Sequence, residues 1–190
     1  FNGDFVDRGP HSLEVVLSLF AWKLAYPHSV FLARGNHETR GMSSMYGFRR
    51  EVVEKYDEAL YDLFCDAFDL LPLCHVLNRK VFVVHGGLFS EDGVTLDTIR
   101  SAGRRFEPAG DDRMTEMLWS DPQSGYGRRP SKRGFGVEFG EDVTAEFLRT
   151  NNLGLIIRSH EMKEDGYDVQ HGGALITIFS APNYCGHMGN

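Results

Sequence analysis

The chain has 190 residues, of which 42% are hydrophobic and 12% aromatic, so it is long enough to bury the core of one domain. Its formal charge of −7 argues against a nucleic-acid partner, because phosphate backbones require clustered Lys and Arg. The cysteines are three in number and widely spaced, which indicates a reducing compartment, and no apolar run approaches the ~20 residues that span a membrane.

The first part of the chain predicts a helix, a strand and a second helical region. Apolar residues at helical spacing predict a helix over 12–26, which Ser12 caps and Pro27 ends. A short strand is expected over 30–33. The stretch 51–71 is expected to be rich in helix, since its aromatic residues recur on one stripe.

The middle of the chain is less regular. A strand over 81–84 is followed by a looser stretch in which Thr95 is expected to cap a short helix. Gly, Asp, Pro and Arg dominate from 107 to 133, which predicts a loop there.

The last part of the chain returns to alternating elements. A helix is expected over 141–152, and strands over 155–157 and 175–179. No internal repeat or linker divides the chain, so residues 1–190 are predicted to be one domain. Strands that alternate with helices are typical of a layered α/β fold.

Four strand-like runs end on side chains that can bind a metal. F-N-G-D ends at Asp4, F-L-A-R-G-N-H at Asn36 and His37, V-F-V-V-H at His85, and L-I-I-R-S-H at His160. Each motif alone is compatible with an ordinary turn. Four strand ends of the same polarity, however, favour one shared site, because ligands of α/β folds collect beyond the carboxyl ends of strands. His37, next to the ligand Asn36, fits a proton-transfer residue.

The donor set indicates which ions and which reaction to expect. Mixed nitrogen and oxygen donors without thiolate suit Mn²⁺, Fe²⁺/³⁺ or Zn²⁺. A carboxylate such as Asp4 can bridge two ions ~3.5–4 Å apart, the spacing at which a shared hydroxide is generated for attack on phosphorus. Arg8 lies beside the metal loop and can bind phosphate. Arg133 can do the same, or can be a solvated loop charge, whereas Arg158 is expected in a buried ion pair and His171 in a loop.

Other nucleophiles fit less well. A cysteine-based phosphatase needs Arg six positions after Cys, but Leu71 follows Cys65 and Lys80 follows Cys74 at that distance. Cys185 lies too close to the end of the chain for this test. No G-x-S-x-G serine motif and no phosphate-binding loop with Lys is present in the sequence.

Seven motifs occur together in one order: G-D-F-V-D-R-G, R-G-N-H-E, H-G-G, L-W-S-D-P, S-K-R-G, R-S-H-E and S-A-P-N-Y-C. With them, essentially the whole chain resembles the catalytic domain of the phosphoprotein phosphatase family of serine/threonine phosphatases. The stretches 85–97, 151–153 and 185–190 indicate one subfamily within it. The resemblance implies a calcineurin-like metallophosphoesterase fold, in which helices flank a central β-sandwich and two metal ions lie between the sheets.

The resemblance also implies metal ligands. Asp4 would bridge both ions, while Asn36, His85 and His160 would hold the second ion. Asn36 would in addition contact the substrate phosphate.

Catalytic roles follow from the same resemblance. His37 would be the general acid that protonates the leaving Ser or Thr oxygen, and Asp7 would orient it. Arg8, Arg133 and Tyr184 would line the phosphate site.

The expected function is metal-dependent hydrolysis of phosphoserine and phosphothreonine on proteins, by direct attack of the metal-bridging hydroxide. We expect phosphoprotein substrates, a regulatory domain or subunit, no nucleic-acid or membrane partner, and a location in the cytoplasm and also in the nucleus. Two alternatives remain open. One is a related phosphoesterase that acts on dinucleotide polyphosphates, and the other is a non-catalytic scaffold that binds phosphoproteins.

One departure from the family pattern concerns the first metal. Family members carry a G-D-x-H-G motif whose Asp and His bind that ion, whereas this sequence opens at Phe1 inside a strand-like run. We therefore expect residues 1–190 to be an incomplete catalytic domain, without the upstream motif and without its C-terminal end.

This expectation is testable on the 190-residue chain itself. The chain expressed alone should bind at most one metal ion, because the Asp and His that bind the first ion belong to the upstream motif. It should hydrolyse phosphopeptides negligibly, because a hydroxide shared by two ions needs both. Extension upstream through a G-D-x-H-G segment should bring activity. Metal analysis that finds two tightly bound ions on the bare chain, with turnover of a phosphopeptide, would contradict the expectation.

Overall fold

The computed structural model describes residues 1–101, 107–108 and 112–186. Within these ranges the helices are α1 Ser12–Ala25, α2 Arg40–Tyr46, α3 Phe48–Lys55, α4 Glu58–Asp69, α5 Leu96–Ser101, α6 Arg113–Trp119 and α7 Glu141–Thr150. The strands are β1 Cys74–Leu77, β2 Val81–Val84, β3 Asp121–Pro122, β4 Arg128–Pro130, β5 Val137–Phe139, β6 Leu155–Arg158, β7 Tyr167–Gln170 and β8 Leu175–Ile178.

Two sheets organise the domain. The larger sheet has the order β1-β2-β6-β8-β7, in which β2, β6 and β8 run parallel and β1 and β7 pair antiparallel at the edges. The smaller sheet has the order β3-β5-β4. Because β2 and β6 are parallel neighbours, their carboxyl ends open at the same edge of the sheet, as the sequence predicts. The mixed α/β architecture agrees with the predicted calcineurin-like fold.

Two hydrophobic cores support this frame. One packs the larger sheet and Phe139 of β5 against α6 and α7, around buried side chains that include Phe82, Ile156 and Phe147. The other lies among α1, α3 and α4, where Phe48 is fully buried. The segments that carry the four predicted metal-capable positions therefore pack into these cores, through Phe5 and Leu32 in one and Val84 and Ile156 in the other.

Elements with a clear local signal agree with the predictions. Helix α1 begins at Ser12, and α7, β2, β6 and β8 lie within two residues of their predicted bounds. The predicted cap is wrong, because His11 occupies the N-cap position and the Ser12 hydroxyl instead accepts from the N–H of Asp7 at 3.0 Å. Helix α5 follows Thr95, whose hydroxyl accepts a hydrogen bond from the N–H of Thr98 at 3.1 Å. Among the described residues, every helix is too short or too polar to cross a membrane.

Two predicted elements are wrong in detail. The helical region predicted over 51–71 is two helices, because the Asp57 carboxylate accepts from the N–H of Leu60 at 2.9 Å and starts α4 anew. The strand predicted over 30–33 is reduced to one parallel bridge between Asn2 and Ala33. The segment that contains Asn2 does not continue as a strand beside it, because Gly3, the next residue, adopts a φ of +79°.

The loop predicted from 107 to 133 is also wrong, because its described part contains α6, β3 and β4. Helix α6 has a cap, since the Asp112 carboxylate accepts from the N–H of Thr115 at 2.7 Å, and its apolar side is buried. Residues 109–111 of the predicted loop lie outside the described residues, as do residues 102–106 before it and residues 187–190 of the C-terminal subfamily stretch.

Candidate active site

The structure brings the four predicted metal-capable side chains together. Asp4, His85 and His160 each offer one ligand atom, and these atoms lie within 4.8 Å of one another. Asn36 completes the group, since its Oδ1 lies 3.1 Å from Nε2 of His85. Four segments that are distant in sequence thus meet at the open edge of the larger sheet.

The histidines have the properties of metal ligands. Nε2 of His160 is buried and has no hydrogen-bond partner among the described residues, a situation that costs about 1–3 kcal/mol unless a ligand satisfies it. Burial, with the nearby charge of His85, holds the pKa of His160 well below its usual value, so its imidazole is neutral. His85 donates from Nδ1 to the carbonyl of Asn2 at 2.7 Å, which turns its Nε2 into the cluster. A transition-metal ion therefore fits these donors.

Neighbouring groups favour the ionised form of the Asp4 carboxyl group. Burial alone would raise the pKa of the Asp4 carboxyl, but attraction and a hydrogen bond from His85 outweigh it and hold the pKa below the usual value. The side chain of Asp4 is still 33% exposed, so an ion or substrate can reach it from solvent.

Glu38 holds two loops of the site together, a role that no sequence pattern predicts. Its buried carboxylate accepts three backbone N–H groups, from Asp4 at 2.8 Å, Phe5 at 2.6 Å and Gly35 at 2.8 Å. Burial, followed by the charge of Asp4, raises the pKa of Glu38. The only sequence signal was its place in the G-N-H-E motif.

Several site residues have a backbone conformation that non-glycine residues rarely adopt. The φ angles are +56° for Asp4, +76° for Asp7, +67° for Arg8 and +65° for His160. Each such residue costs about 1–3 kcal/mol and persists where its surroundings fix it. Backbone strain is therefore concentrated where the chemistry is expected.

His37 and Asp7 form a buried pair beside the cluster. Nδ1 of His37 lies 2.6 Å from Oδ2 of Asp7, and the other carboxylate oxygen of Asp7 accepts from the N–H of Phe48 at 2.9 Å. Burial lowers the pKa of His37, but the hydrogen bond to Asp7 and the charge of Asp4 outweigh it, so the pKa is raised. With Nδ1 bound to Asp7, Nε2 is the nitrogen of His37 that can face a substrate.

Arg8 is exposed at the rim of the site and is held by an aromatic ring. Its guanidinium lies 4.1 Å from the centre of the Tyr46 ring, a cation–π contact that limits where the side chain can go. The same ring meets His37 edge to face at 5.4 Å. Tyr46 thus contacts two predicted site residues, although no sequence pattern indicated it.

Arg133 lies against the cluster and is not a free loop charge. Its Nε donates to Oδ2 of Asp121 at 2.5 Å, and its Nη2 donates to the carbonyl of His160 at 3.3 Å. The other carboxylate oxygen of Asp121 accepts from Arg158 at 2.6 Å. Arg158 is fully buried and also pairs with Glu161, so the predicted buried ion pair is confirmed.

Tyr184 is half-buried and packs edge to face on Phe179 at 5.1 Å. Burial raises the pKa of its phenol, and the charge of Arg8 opposes that rise. His171 lies elsewhere, since its two nitrogens bond Thr144 and the carbonyl of Gln123. Its role is in packing.

Comparisons with known proteins point in one direction. The calcineurin-like phosphoesterase family matches residues 1–164. Serine/threonine-protein phosphatase 5 of Arabidopsis thaliana is 60% identical over the whole chain, and that of Homo sapiens is 57% identical. A solved Saccharomyces cerevisiae protein serine/threonine phosphatase, described as similar to human phosphatase PP5, superimposes with a TM-score of 0.97 at 44% identity and covers the whole chain.

The chain is shorter than these proteins. The chain spans 35% of the length of the Arabidopsis relative, 38% of the human relative and 60% of the yeast structure. The subfamily that the sequence stretches predicted was phosphatase 5, and the relatives confirm that similarity.

Close packing between the two loops leads to a prediction for Gly35. A Cβ at Gly35 would lie 2.5 Å from both the backbone nitrogen and Oδ1 of Asp4, so Gly35→Ala must displace Asp4. We expect a loss of metal affinity of at least about tenfold, the scale at which disturbed ligand positions act. Titration with Mn²⁺ by calorimetry measures it.

Gly41→Ala is the matched control for Gly35→Ala. A Cβ at Gly41, inside α2, meets nothing within 4 Å. Its metal affinity should equal that of the unaltered protein. Equal affinities of both variants would contradict the close contact between the loops.

Proposed function

Since this chain belongs to the calcineurin-like phosphoesterase family, we propose that it forms the catalytic part of a protein serine/threonine phosphatase. The reaction is hydrolysis of phosphoserine and phosphothreonine on proteins. The observation that carries the proposal is the buried pair of His37 and Asp7 beside the group of metal-capable side chains. The names of the relatives support the same class of substrate.

Calcineurin-like phosphoesterases use a dinuclear metal site. In this chain Asp4, Asn36, His85 and His160 would hold one ion, and Asp4 would be shared with the second. Their nitrogen and oxygen donors suit Mn²⁺, Fe²⁺/³⁺ or Zn²⁺. When bound, such ions polarise the phosphate and lower the pKa of the attacking water.

His37 supplies the proton for the leaving group. Asp7 accepts the hydrogen bond from Nδ1 of His37. Its side chain is fully buried, so water does not screen its negative charge, and this charge stabilises the cationic imidazole. The proton on Nε2 is then available for the Ser or Thr oxygen as its bond to phosphorus breaks. A positioned acid of this kind contributes about 10²- to 10⁴-fold in rate.

Two arginines and a tyrosine would bind the phosphate. Guanidinium groups match phosphate oxygens with two parallel hydrogen bonds. Tyr46 orients Arg8, and Asp121 orients Arg133 next to His160. Tyr184 would add its hydroxyl from the S-A-P-N-Y-C loop.

The alternatives have less support. A phosphoesterase acting on dinucleotide polyphosphates does not match the relatives, which are named as protein phosphatases. A non-catalytic scaffold has no need of the buried pair of His37 and Asp7. Because the chain spans 35–38% of these relatives, the proposal includes a regulatory domain or subunit outside it.

One experiment separates these functions. The full-length protein that contains this chain should be assayed with Mn²⁺ for phosphate release from a phosphothreonine peptide and from diadenosine tetraphosphate. We expect hydrolysis of the peptide and little of the dinucleotide. Preference for the dinucleotide would support the first alternative, and binding of the peptide without release of phosphate would support the scaffold.

His37→Asn tests the assignment of the acid in the full-length protein. Metal content should stay nearly unchanged, because His37 adjoins a ligand without being one, while kcat falls by about 10²- to 10⁴-fold. His28→Asn, at an exposed position in a turn, is the control and should keep full activity. Loss of the metals from His37→Asn, or full activity of that variant, would show that the assignment is wrong.

Arg133→Ala tests the phosphate site. Removal of one charged hydrogen-bonding group should raise KM for a phosphopeptide and lower kcat/KM by about 10- to 100-fold, with metal content unchanged. Arg149→Ala removes the same charge from an exposed position on α7 and should change neither constant. Steady-state kinetics of Arg133→Ala equal to those of the control would exclude contact between Arg133 and phosphate.

A further inference from the structure

Charged side chains form an ordered array on one face of the smaller sheet. Asp121 of β3 is the direct neighbour of Glu138 on β5, and Glu138 is the direct neighbour of Arg129 on β4. Neighbours in register point to the same face, so these three residues form a line across the sheet. The loop from β4 to β5 adds Lys132 and Arg133 to this line.

Cations outnumber acids in this array. Arg129 and Lys132 both pair with the single carboxylate of Glu138. Glu138 is 9% exposed, whereas the side chains of Arg129 and Lys132 are 54% and 81% exposed. Nζ of Lys132 stays 3.6 Å from its partner, longer than a hydrogen bond. The surface at this position is therefore positive, with the compensating acid beneath it.

The array leads into the candidate active site. Arg133 shares the carboxylate of Asp121 with the buried Arg158 and reaches the carbonyl of His160. We call Arg129, Lys132 and Arg133 the cationic row. Its outer end also lines a groove of about 410 Å³ beside β4, so the surface there is concave.

The length of the cationic row determines how far from the phosphorylated residue it can bind another side chain of the substrate. Four residue steps separate Arg129 from Arg133, and an extended chain rises about 3.3 Å per residue, so the two lie at most about 13 Å apart along the chain. A substrate peptide in an extended conformation covers the same distance in about four residues.

We propose that Arg129 and Lys132 bind acidic side chains of the phosphoprotein substrate, within about four residues of the phosphorylated Ser or Thr that Arg133 contacts. The inference rests on the proposed function and adds a substrate class to it. Charge complementarity carries it, since the row is a positive surface on a chain whose net charge is −7. Exposed charges contribute through long-range attraction, which salt weakens.

The test uses the full-length protein and two phosphothreonine peptides that differ only in Asp or Ala residues around the phosphosite. The variant is Arg129→Gln/Lys132→Gln. We expect its KM for the acidic peptide to rise by about 3- to 10-fold, with less than twofold change for the neutral peptide. Added salt should weaken binding of the acidic peptide to the unaltered protein more than to the variant.

Two further variants keep the proposal testable if Arg129→Gln/Lys132→Gln does not fold. Lys132→Glu changes the most exposed member of the row and leaves the pair of Arg129 and Glu138 intact, so it should show the same selective effect. Arg149→Glu, at an exposed position on α7, changes the net charge by the same two units and should leave the KM of both peptides unchanged. Equal kinetics of both peptides in the unaltered protein, or an equal rise of both KM values in the variants, would overturn the proposal.

A binding measurement separates this proposal from the proposed function. Fluorescence anisotropy with an unphosphorylated acidic peptide reports on Arg129 and Lys132 without catalysis. If the protein hydrolyses neither phosphopeptide but binds the acidic peptide more tightly than Lys132→Glu does, the proposed function fails and the acidic docking surface stands. Equal binding by both proteins would exclude the docking surface even if hydrolysis is observed.

Discussion

The carboxylate of Glu38 accepts three backbone N–H groups from two loops, and the geometry of the candidate active site depends on this contact. The donors belong to Asp4, Phe5 and Gly35, so one side chain joins the first metal-capable residue to the G-N-H-E turn. The same turn presents Asn36 and His37. Without this acceptor, three backbone N–H groups would lose their partner, and each of the two buried ones, from Phe5 and Gly35, would cost about 1–3 kcal/mol. The left-handed conformation of Asp4 is held at the same point.

Glu38 is itself connected to the helical core. Nε of the fully buried Arg34 donates to the backbone carbonyl of Glu38 at 2.9 Å, while its Nη2 pairs with Asp69 at the end of α4 at 2.7 Å. A buried guanidinium is tolerated only where acceptors surround it, because desolvation of a charge is expensive. These acceptors exist only if the turn and α4 keep their relative position. Packing of the helical core and geometry of the site are thus coupled.

The sequence predicted those parts of the fold that carry a local signal. Ser12 and Thr95 mark helix starts, and the apolar runs of β2 and β6 end on His85 and close to His160, so their common edge was predictable. Strand β4 and helix α6 were missed because polar and Gly-rich sequence surrounds them, and because β4 pairs with β5, a short strand that carries no clear local signal either. Their stability comes from pairing and burial rather than from local propensity.

The same distinction applies to the site residues. Residues expected to touch an ion or phosphate follow apolar runs and were found from that position: His85 follows β2, and Asp4 lies two residues after the bridge at Asn2. Residues that act through another side chain were missed: Glu38 holds backbone, Tyr46 supports Arg8, and Asp121 positions Arg133. Their role is defined only by three-dimensional contacts, since a single Asp or Tyr in a sequence has many ordinary uses.

Arg158 connects the metal-capable residues to the expected phosphate-binding residue. Its Nε donates to the carbonyl of Gly86, directly after His85, at 2.7 Å, and its Nη2 binds Asp121, which in turn holds Arg133. A lysine could not replace it, because a single ammonium lacks the planar fork that reaches partners in several directions. Any shift of β2 against the smaller sheet would therefore move Arg133 as well. The position of Arg133 relative to the metal-capable side chains is then set by the hydrogen bonds of Arg158 and Asp121 rather than by the exposed loop that carries Arg133.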